Sequence, residues 1–104
     1  MDMSDYQSDA RTTAIYPVQY AVTYPVLGLF GEVGEFANRW KKTIRDGQTL
    51  DPEWAMHEIG DMLWYVAAIC SDLNLDLDDV ARANLDKLGD RARRNVLGGN
   101  GDDR

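Results

Sequence analysis

The chain has 104 residues, a net charge of −7 and a composition that is 44% hydrophobic and 28% charged. This length and balance fit one soluble globular domain with one modest core. The acidic excess argues against nucleic-acid binding, which needs basic surface. An anionic small substrate remains compatible with it, provided that the substrate meets metal cations or a local basic cluster.

Membrane insertion and secretion find no support in the sequence. The longest apolar run, "MLWYVAAIC", has nine residues, which is far too short to span a bilayer. The acidic, polar start "MDMSDYQSDA" is unlike a signal peptide. The single cysteine, Cys70, lies inside the apolar run, so we expect it in the core and without an internal disulfide. These features favour a cytoplasmic protein with no membrane partner.

Helix signals dominate the sequence, and the alternation typical of strands is almost absent. Capping residues set the expected bounds. Ser4 is the expected N-cap of the first helix, and Pro25 fits the first position of the second, which stops before Gly47. Asp51 and Asp76 are the expected N-caps of the third and fourth helices. The four helices are predicted at about 4–13, 25–45, 52–73 and 77–94.

The third helix is expected at the centre of the fold. Its apolar residues follow the 4-3-4-3 spacing of a bundle seam, at Ile59, Leu63, Val66, Cys70 and Leu73. Four helices with short links predict an all-α fold, an antiparallel four-helix bundle. A bundle this small and rich in aromatic residues is expected to be completed by oligomerisation. We assign residues 1–95 to one helical domain and 96–104 to a glycine-rich tail.

Two acidic pairs with a spacing of three residues stand on consecutive helices: Glu32 with Glu35, and Glu58 with Asp61. This spacing puts both carboxylates of a pair on one helix face. The second pair leads directly into the most apolar part of the chain, where unpaired carboxylates are very costly to bury. Two interpretations follow: solvated acidic faces, or convergence around a divalent metal. An oxygen-only ligand set suits Mg²⁺ or Mn²⁺ rather than zinc, and the one histidine, His57, is expected at the surface.

Three glycines at every third position, Gly28, Gly31 and Gly34, run beside the first acidic pair. Glycine inside a helix is destabilising by roughly 0.5–1 kcal/mol relative to alanine, so the stripe needs a reason. Close packing against another helix is one reason. Room for metals and a bulky ligand is the other, and the two are compatible.

Basic residues cluster on one face of the fourth helix, where Lys87, Arg91 and Arg94 follow Asn84. They form either an ordinary solvated stripe or a phosphate clamp. For a clamp, we expect Lys87 and Arg91 on a solvent-accessible face. The end of the second helix offers the same chemistry, from Lys41, Lys42 and Arg45.

The order Glu32-x-x-Glu35, then 22 residues, then Glu58-x-x-Asp61 resembles the signature of the all-α nucleoside triphosphate pyrophosphohydrolases, in particular the small MazG-like members. "GLFGEVGEFANRWKKTIRDG" and "HEIGDMLWYVAAI" resemble the metal-binding pair of that family, and "DYQSDARTTAIYP" resembles its first helix. "NLDKLGDRARRNVLGGNGDDR" resembles its closing segment, so the likeness covers nearly the whole chain.

Two departures from the family pattern bear on substrate preference. Asn38 and Arg39 stand where small or acidic residues are frequent, and "RARRN" lacks the glycine often found before the tail.

The resemblance implies cleavage of a nucleoside triphosphate between the α and β phosphates, with Mg²⁺, by a homodimer or homotetramer. Mn²⁺ is expected to substitute. Glu32, Glu35, Glu58 and Asp61 would hold the metal, and Glu35, with Glu32 beside it, would take the proton of the attacking water. Phosphate-binding roles fall to Lys87, Arg91, Asn84, Lys42 and Arg104, and base-stacking roles to Trp40 and Tyr16.

The expected cellular role is shaping or sanitising the nucleotide pool, and compact members of this kind suit phage genomes. A pyrophosphatase narrowed to dUTP or a modified nucleotide is an alternative. A catalytically silent bundle that binds a metal or a partner is another.

Overall fold

The computed structural model describes residues 1–103, and within that range it is entirely helical. Helix α1 spans Met3–Arg11, α2 spans Thr23–Arg45, α3 spans Pro52–Asp72 and α4 spans Leu77–Arg93, with a short 3-10 turn at Val18–Tyr20 before α2. No strand occurs in these residues, so the all-α prediction is confirmed. Nor does any helix in residues 1–103 combine the length and apolarity needed to cross a membrane.

Side-chain caps begin α3 and α4 where the sequence predicts them. The Asp51 and Asp76 carboxylates each accept a hydrogen bond from the backbone N–H two residues further on. After α2, the chain turns at Gly47 with φ +66°, a conformation that glycine adopts without strain.

Two of the predicted helix starts are wrong. Asp2, rather than Ser4, caps α1, because its carboxylate accepts the Asp5 N–H while the Asp5 carboxylate accepts the Asp2 N–H. Ser4 instead donates its hydroxyl to Asp76 Oδ1 at 2.7 Å and so joins α1 to the cap of α4. Helix α2 begins at Thr23, and Pro25 is buried within its first turn.

Helix α3 is central, as expected: α2 packs along one side of it and α1 along another, while α4 rests mainly on α1. The main cluster of buried residues is small and consists of Ala67, Cys70 and Leu77. Met3 and Tyr6 of α1 pack against it. The core therefore lies where the end of α3 and the start of α4 meet α1, and Cys70 is part of it.

The start of α2 is tied to the end of α3 through Asp72, whose side chain is only 1% exposed. The Asp72 carboxylate accepts the Val22 N–H at 2.8 Å and the Tyr16 hydroxyl at 2.7 Å, and pairs with Arg11 at 2.7 Å. Burial by itself would raise the pKa of Asp72, but these hydrogen bonds outweigh it and hold the pKa below its usual value. Val22 has φ +68°, which is strained for a β-branched residue, so this contact holds a costly backbone conformation.

The glycine stripe divides into two parts. A Cβ atom added at Gly28 would overlap the Tyr65 ring on α3, where Cδ1 would lie 2.7 Å away. A Cβ added at Gly31 or Gly34 would meet nothing within 4 Å. Close helix packing therefore explains Gly28, and open space lies beside Gly31 and Gly34.

The chain leaves much of its apolar surface uncovered. Its radius of gyration is 16.5 Å, against about 13 Å for a compact chain of this length. Its accessible surface is 7502 Å², roughly 1,600 Å² more than a compact monomer of this mass exposes. Exposed residues with 3-4-3-4 spacing form what we call the outer stripe of α2: Phe30, Val33, Ala37, Trp40 and Ile44.

Replacing Gly28 with alanine should lower the free energy of unfolding, because the new methyl group needs the space that the Tyr65 ring occupies. The matched change Gly31→Ala should leave stability unchanged or raise it by up to about 1 kcal/mol, because alanine favours the helix and nothing opposes its Cβ. Urea unfolding followed by circular dichroism measures both. Equal stability of the two variants would contradict the close approach at Gly28.

Candidate metal centre

Three carboxylates from two helices converge between α2 and α3. Glu32 comes from α2, and Glu58 and Asp61 come from one face of α3. Each offers a carboxylate oxygen, and the three oxygens lie within 4.8 Å of one another. The structure thus brings together three of the four acidic residues singled out in the sequence, and Glu35 lies outside this group.

The cluster carries negative charge that nothing in residues 1–103 neutralises. Burial is the largest cause that raises the pKa of Glu32, to about 7, followed by a hydrogen bond shared with Glu58 and the charges of Glu35 and Asp61. That hydrogen bond exists only while one of the two carboxyl groups holds a proton. When both are ionised, the buried Oε2 atoms of Glu32 and Glu58 have no hydrogen-bond donor within the described residues.

These residues fit a hard divalent cation. Buried carboxylate oxygens without donors are costly unless a proton or a cation accompanies them. All the donors are carboxylate oxygens, which suit Mg²⁺ or Mn²⁺. Glu32, Glu58 and Asp61 would hold the ion.

The cluster lies between two depressions in the surface. The larger one, about 670 Å³, lies between the second half of α2 and the start of α3, and both Glu35 and Glu58 line it. The smaller one, about 370 Å³, lies on the other side, where Glu32 and Asp61 line it together with Tyr65. Glu35, which is exposed, therefore faces the larger cavity beside a cluster residue.

The wall of the larger cavity also includes an aromatic side chain and two basic side chains. Lys42, a predicted phosphate binder, lines it together with Arg39 and Trp54. The Arg39 guanidinium carbon lies 4.6 Å from the centroid of the Trp54 ring. No role in the site is expected for Trp54 from the sequence, and Arg39 stands out there only as a departure from the family pattern. Helical spacing could have found them, because Arg39 follows Glu35 by four residues and Trp54 precedes Glu58 by four.

Two basic residues of α4, Lys87 and Arg91, pair with the tail, and only Arg91 is buried there. Lys87 Nζ pairs with Asp102 Oδ1 at 3.1 Å, and Arg91 Nη2 contacts the same oxygen at 3.2 Å and the Asp102 carbonyl at 2.9 Å. Arg91 is only 4% exposed. The expectation that Arg91 lies on an accessible face is therefore wrong, because the chain after α4 folds back over it. None of the groups that shift the pKa of Glu32 is a cation of the described chain.

The other predicted site residues are dispersed. Asn84 is exposed on α4, and Trp40 belongs to the outer stripe of α2. Tyr16 stacks on Tyr24, with ring centroids 4.8 Å apart, and its hydroxyl donates to Asp72, so it lies at the start of α2. His57 is exposed, as expected, and is not in the carboxylate cluster. Arg104 lies outside the described residues.

Residues 23–96 match the family model of the MazG nucleotide pyrophosphohydrolase domain. This range begins with α2 and ends just after α4, so it contains the whole carboxylate cluster. The chain therefore belongs to this family, and nucleotide pyrophosphohydrolysis is the general activity that membership supports.

The gene 37 protein of Mycobacterium phage L5 is 38% identical to this chain over 114 aligned positions, which cover 100% of both proteins. The phage source of this relative agrees with the expectation that such compact members suit phage genomes. No solved structure matches the chain.

The raised pKa of Glu32 predicts how the stability of the metal-free protein depends on pH. Its pKa is 4.5 as a model value and about 7 in the fold, so the folded state binds more protons than the unfolded state between these values. The free energy of unfolding in EDTA should therefore fall as pH rises from about 4.5 to about 7. Urea titrations across this range measure the decline.

Glu32→Gln should flatten this decline, whereas Glu53→Gln, at an exposed position in the first turn of α3, should keep it. A decline of the same size in Glu32→Gln as in wild type would assign the effect to other groups.

Proposed function

We propose that this protein hydrolyses nucleoside triphosphates, of the ribose or deoxyribose series, to a nucleoside monophosphate and pyrophosphate with Mg²⁺ or Mn²⁺. The observation that carries the proposal is the cluster of Glu32, Glu58 and Asp61 next to a cavity of about 670 Å³. The Oε2 atoms of Glu32 and Glu58 in it are buried and have no donor within residues 1–103. A cavity of that volume is in the range of small-molecule sites. The chemistry of the family is the second support.

Each carboxylate has a separate task in this proposal. Glu32, Glu58 and Asp61 hold the divalent cation, which neutralises phosphate charge and orients water when bound. Glu35 stands outside the three, is exposed and lines the cavity beside Glu58. Both observations support Glu35 as the group that accepts the proton of the water attacking the α phosphorus in this proposal.

Cations for the phosphate groups come from two places. Lys42 lines the cavity in the same chain as the cluster. Lys87, Arg91 and Asn84 are on α4, which packs mainly on α1 and so does not face that cavity. In this proposal the exposed residues Lys87 and Asn84 reach a substrate across an interface between chains, and Arg104 of the tail acts with them. The buried Arg91 holds the tail through Asp102.

We also propose that the protein is a homodimer or a homotetramer. The surface in excess of a compact monomer, roughly 1,600 Å², is about twice what each partner buries in a standard interface. The outer stripe of α2 has the spacing of a bundle seam, and Phe30 in it is 70% exposed. A helix from a second copy would cover this stripe and complete the four-helix bundle.

In the cell, this activity would shape or sanitise the nucleotide pool of the cytoplasm. A preference for dUTP or for a modified nucleotide is the narrower form of the same proposal. It is supported by Asn38 and Arg39, which line the cavity and depart from the family pattern described above. A catalytically silent bundle is the contrary proposal, and the assay below distinguishes it.

Incubation with a panel of nucleoside triphosphates and Mg²⁺ should release pyrophosphate, and excess EDTA should abolish the release. In ¹⁸O-labelled water, the label should enter the monophosphate, because water attacks the α phosphorus. Glu58→Gln should lower turnover by orders of magnitude, and Glu53→Gln, matched in chemistry but outside the cluster, should retain it. Product analysis by mass spectrometry reads all three.

Inorganic phosphate with a nucleoside diphosphate as the products would refute the proposed bond. Wild-type activity in EDTA would refute the metal. No product from any triphosphate, with the fold intact, would favour the silent bundle.

Analytical ultracentrifugation should find the wild-type protein as a dimer or tetramer. Phe30→Glu should shift it toward the monomer, because a charge in the outer stripe of α2 opposes burial of that face. Ile15→Glu is the control, since Ile15 is 94% exposed but lies before α2. A monomeric wild-type protein, or a Phe30→Glu variant that assembles normally, would contradict the proposed interface.

A further inference from the structure

Trp54 is an aromatic side chain that lines the cavity beside the carboxylate cluster. It lies in the first turn of α3, four residues before Glu58, so one helical turn of about 6 Å separates the two along the helix axis. Phe36 of α2 contacts its ring, with centroids 5.3 Å apart and planes inclined at 35°. The ring is therefore held in place by packing while still contributing to the wall of the cavity.

A planar cation already stacks on this ring. The Arg39 guanidinium carbon is 4.6 Å from the Trp54 centroid. Arg39 is exposed, and it forms no ion pair within residues 1–103, unlike Arg45, which pairs with Asp46. An exposed cation–π contact is weak, and a nucleobase stacked on tryptophan is generally held more strongly. A base can thus replace the guanidinium on the ring.

The carboxylates and the Trp54 ring are spaced so that one nucleotide could contact the carboxylates with its phosphates and the ring with its base. Glu35 and Glu58 line the part of the cavity next to the cluster, where the phosphates would be hydrolysed. Arg39 and Trp54 each lie one helical turn from one of these carboxylates, on facing helices. One turn is comparable with the width of the sugar that separates a base from its first phosphate.

We propose that Trp54 is the stacking platform for the nucleobase, and that Arg39 leaves the ring when a nucleotide binds and turns toward the phosphates. The platform is sequence-tolerant, since every base has a π face. This inference rests on the nucleotide substrate proposed above. It assigns base stacking to a tryptophan on α3, whereas Trp40 lies in the outer stripe of α2 and does not line the cavity.

Two probes separate the base from the phosphates. One is a nucleoside triphosphate with a methylene bridge between its α and β phosphorus atoms, which resists hydrolysis. The other is inorganic tripolyphosphate, which has no base. Dissociation constants for both are measured with Mg²⁺ by isothermal titration calorimetry on wild type, Trp54→Leu, Trp54→Phe and Arg39→Gln. Trp40→Leu tests the other candidate ring, and Tyr20→Leu is the control, at an exposed aromatic residue before α2 that does not line the cavity.

Trp54→Leu should weaken binding of the nucleotide analogue about 10-fold or more and leave tripolyphosphate within about twofold. Trp54→Phe should retain most of the affinity, because a smaller aromatic ring still stacks. Arg39→Gln should weaken tripolyphosphate severalfold, and Tyr20→Leu should bind both probes as wild type does. Circular dichroism confirms that each variant folds. Where Trp54→Leu does not fold, wild type decides: a nucleotide analogue that binds no more tightly than tripolyphosphate would contradict the platform.

Unchanged nucleotide affinity in Trp54→Leu would overturn the inference, and so would an equal loss for both probes. Equal loss of nucleotide affinity in Trp40→Leu would move the base to the other tryptophan. The proposed function fails separately, when wild type releases no pyrophosphate from any triphosphate. If wild type hydrolyses triphosphates and Trp54→Leu binds the nucleotide analogue normally, the stacking role of Trp54 is refuted while the proposed function stands.

Discussion

The antiparallel register of α2 and α3 is the constraint on which the candidate site depends. It is set at one end by the hydrogen bond from the Val22 N–H to Asp72. Ten residues further along α2 stands Glu32, and eleven residues back along α3 stands Asp61, so both arrive at the same level. Gly28, between these levels, lets the helices approach. A contact at the ends of two helices thus decides which carboxylates meet in their middle.

The carboxylate cluster lowers the stability of the metal-free fold. The buried oxygens of Glu32 and Glu58 have no donors in residues 1–103, and the charges around them repel. Asp72 is also a carboxylate, with a side chain that is only 1% exposed, yet three hydrogen-bonding partners hold its pKa low. A buried carboxylate therefore has its hydrogen bonds at the register contact and lacks donors at the cluster. That contrast is the reason for treating the cluster, and not Asp72, as the candidate site.

The features that have a helical period could be predicted from the sequence. Helical spacing and capping residues predicted the four helices, and the acidic pairs pointed to the cluster. Contacts that depend on the path of the chain could not be predicted. No local pattern shows that Asp102 returns to contact Arg91. The outer stripe of α2, containing Phe30 and Trp40, was present in the sequence but was obscured by the glycines and glutamates threaded through it. Four helices can also pack in several ways, so the sequence did not show that α4 rests on α1.

The protonation of Glu32 has a consequence for how the cluster would exchange one cation for another. With a pKa of about 7, this carboxyl group is half protonated in neutral solution before any ion arrives. A divalent cation that binds Glu32 would displace this proton into the solvent, because a carboxylate that binds a metal is ionised. Apparent affinity would then rise with pH, and the heat of binding would vary with the ionisation enthalpy of the buffer. Protons and divalent cations would thus compete for the carboxylate oxygens of Glu32 and Glu58.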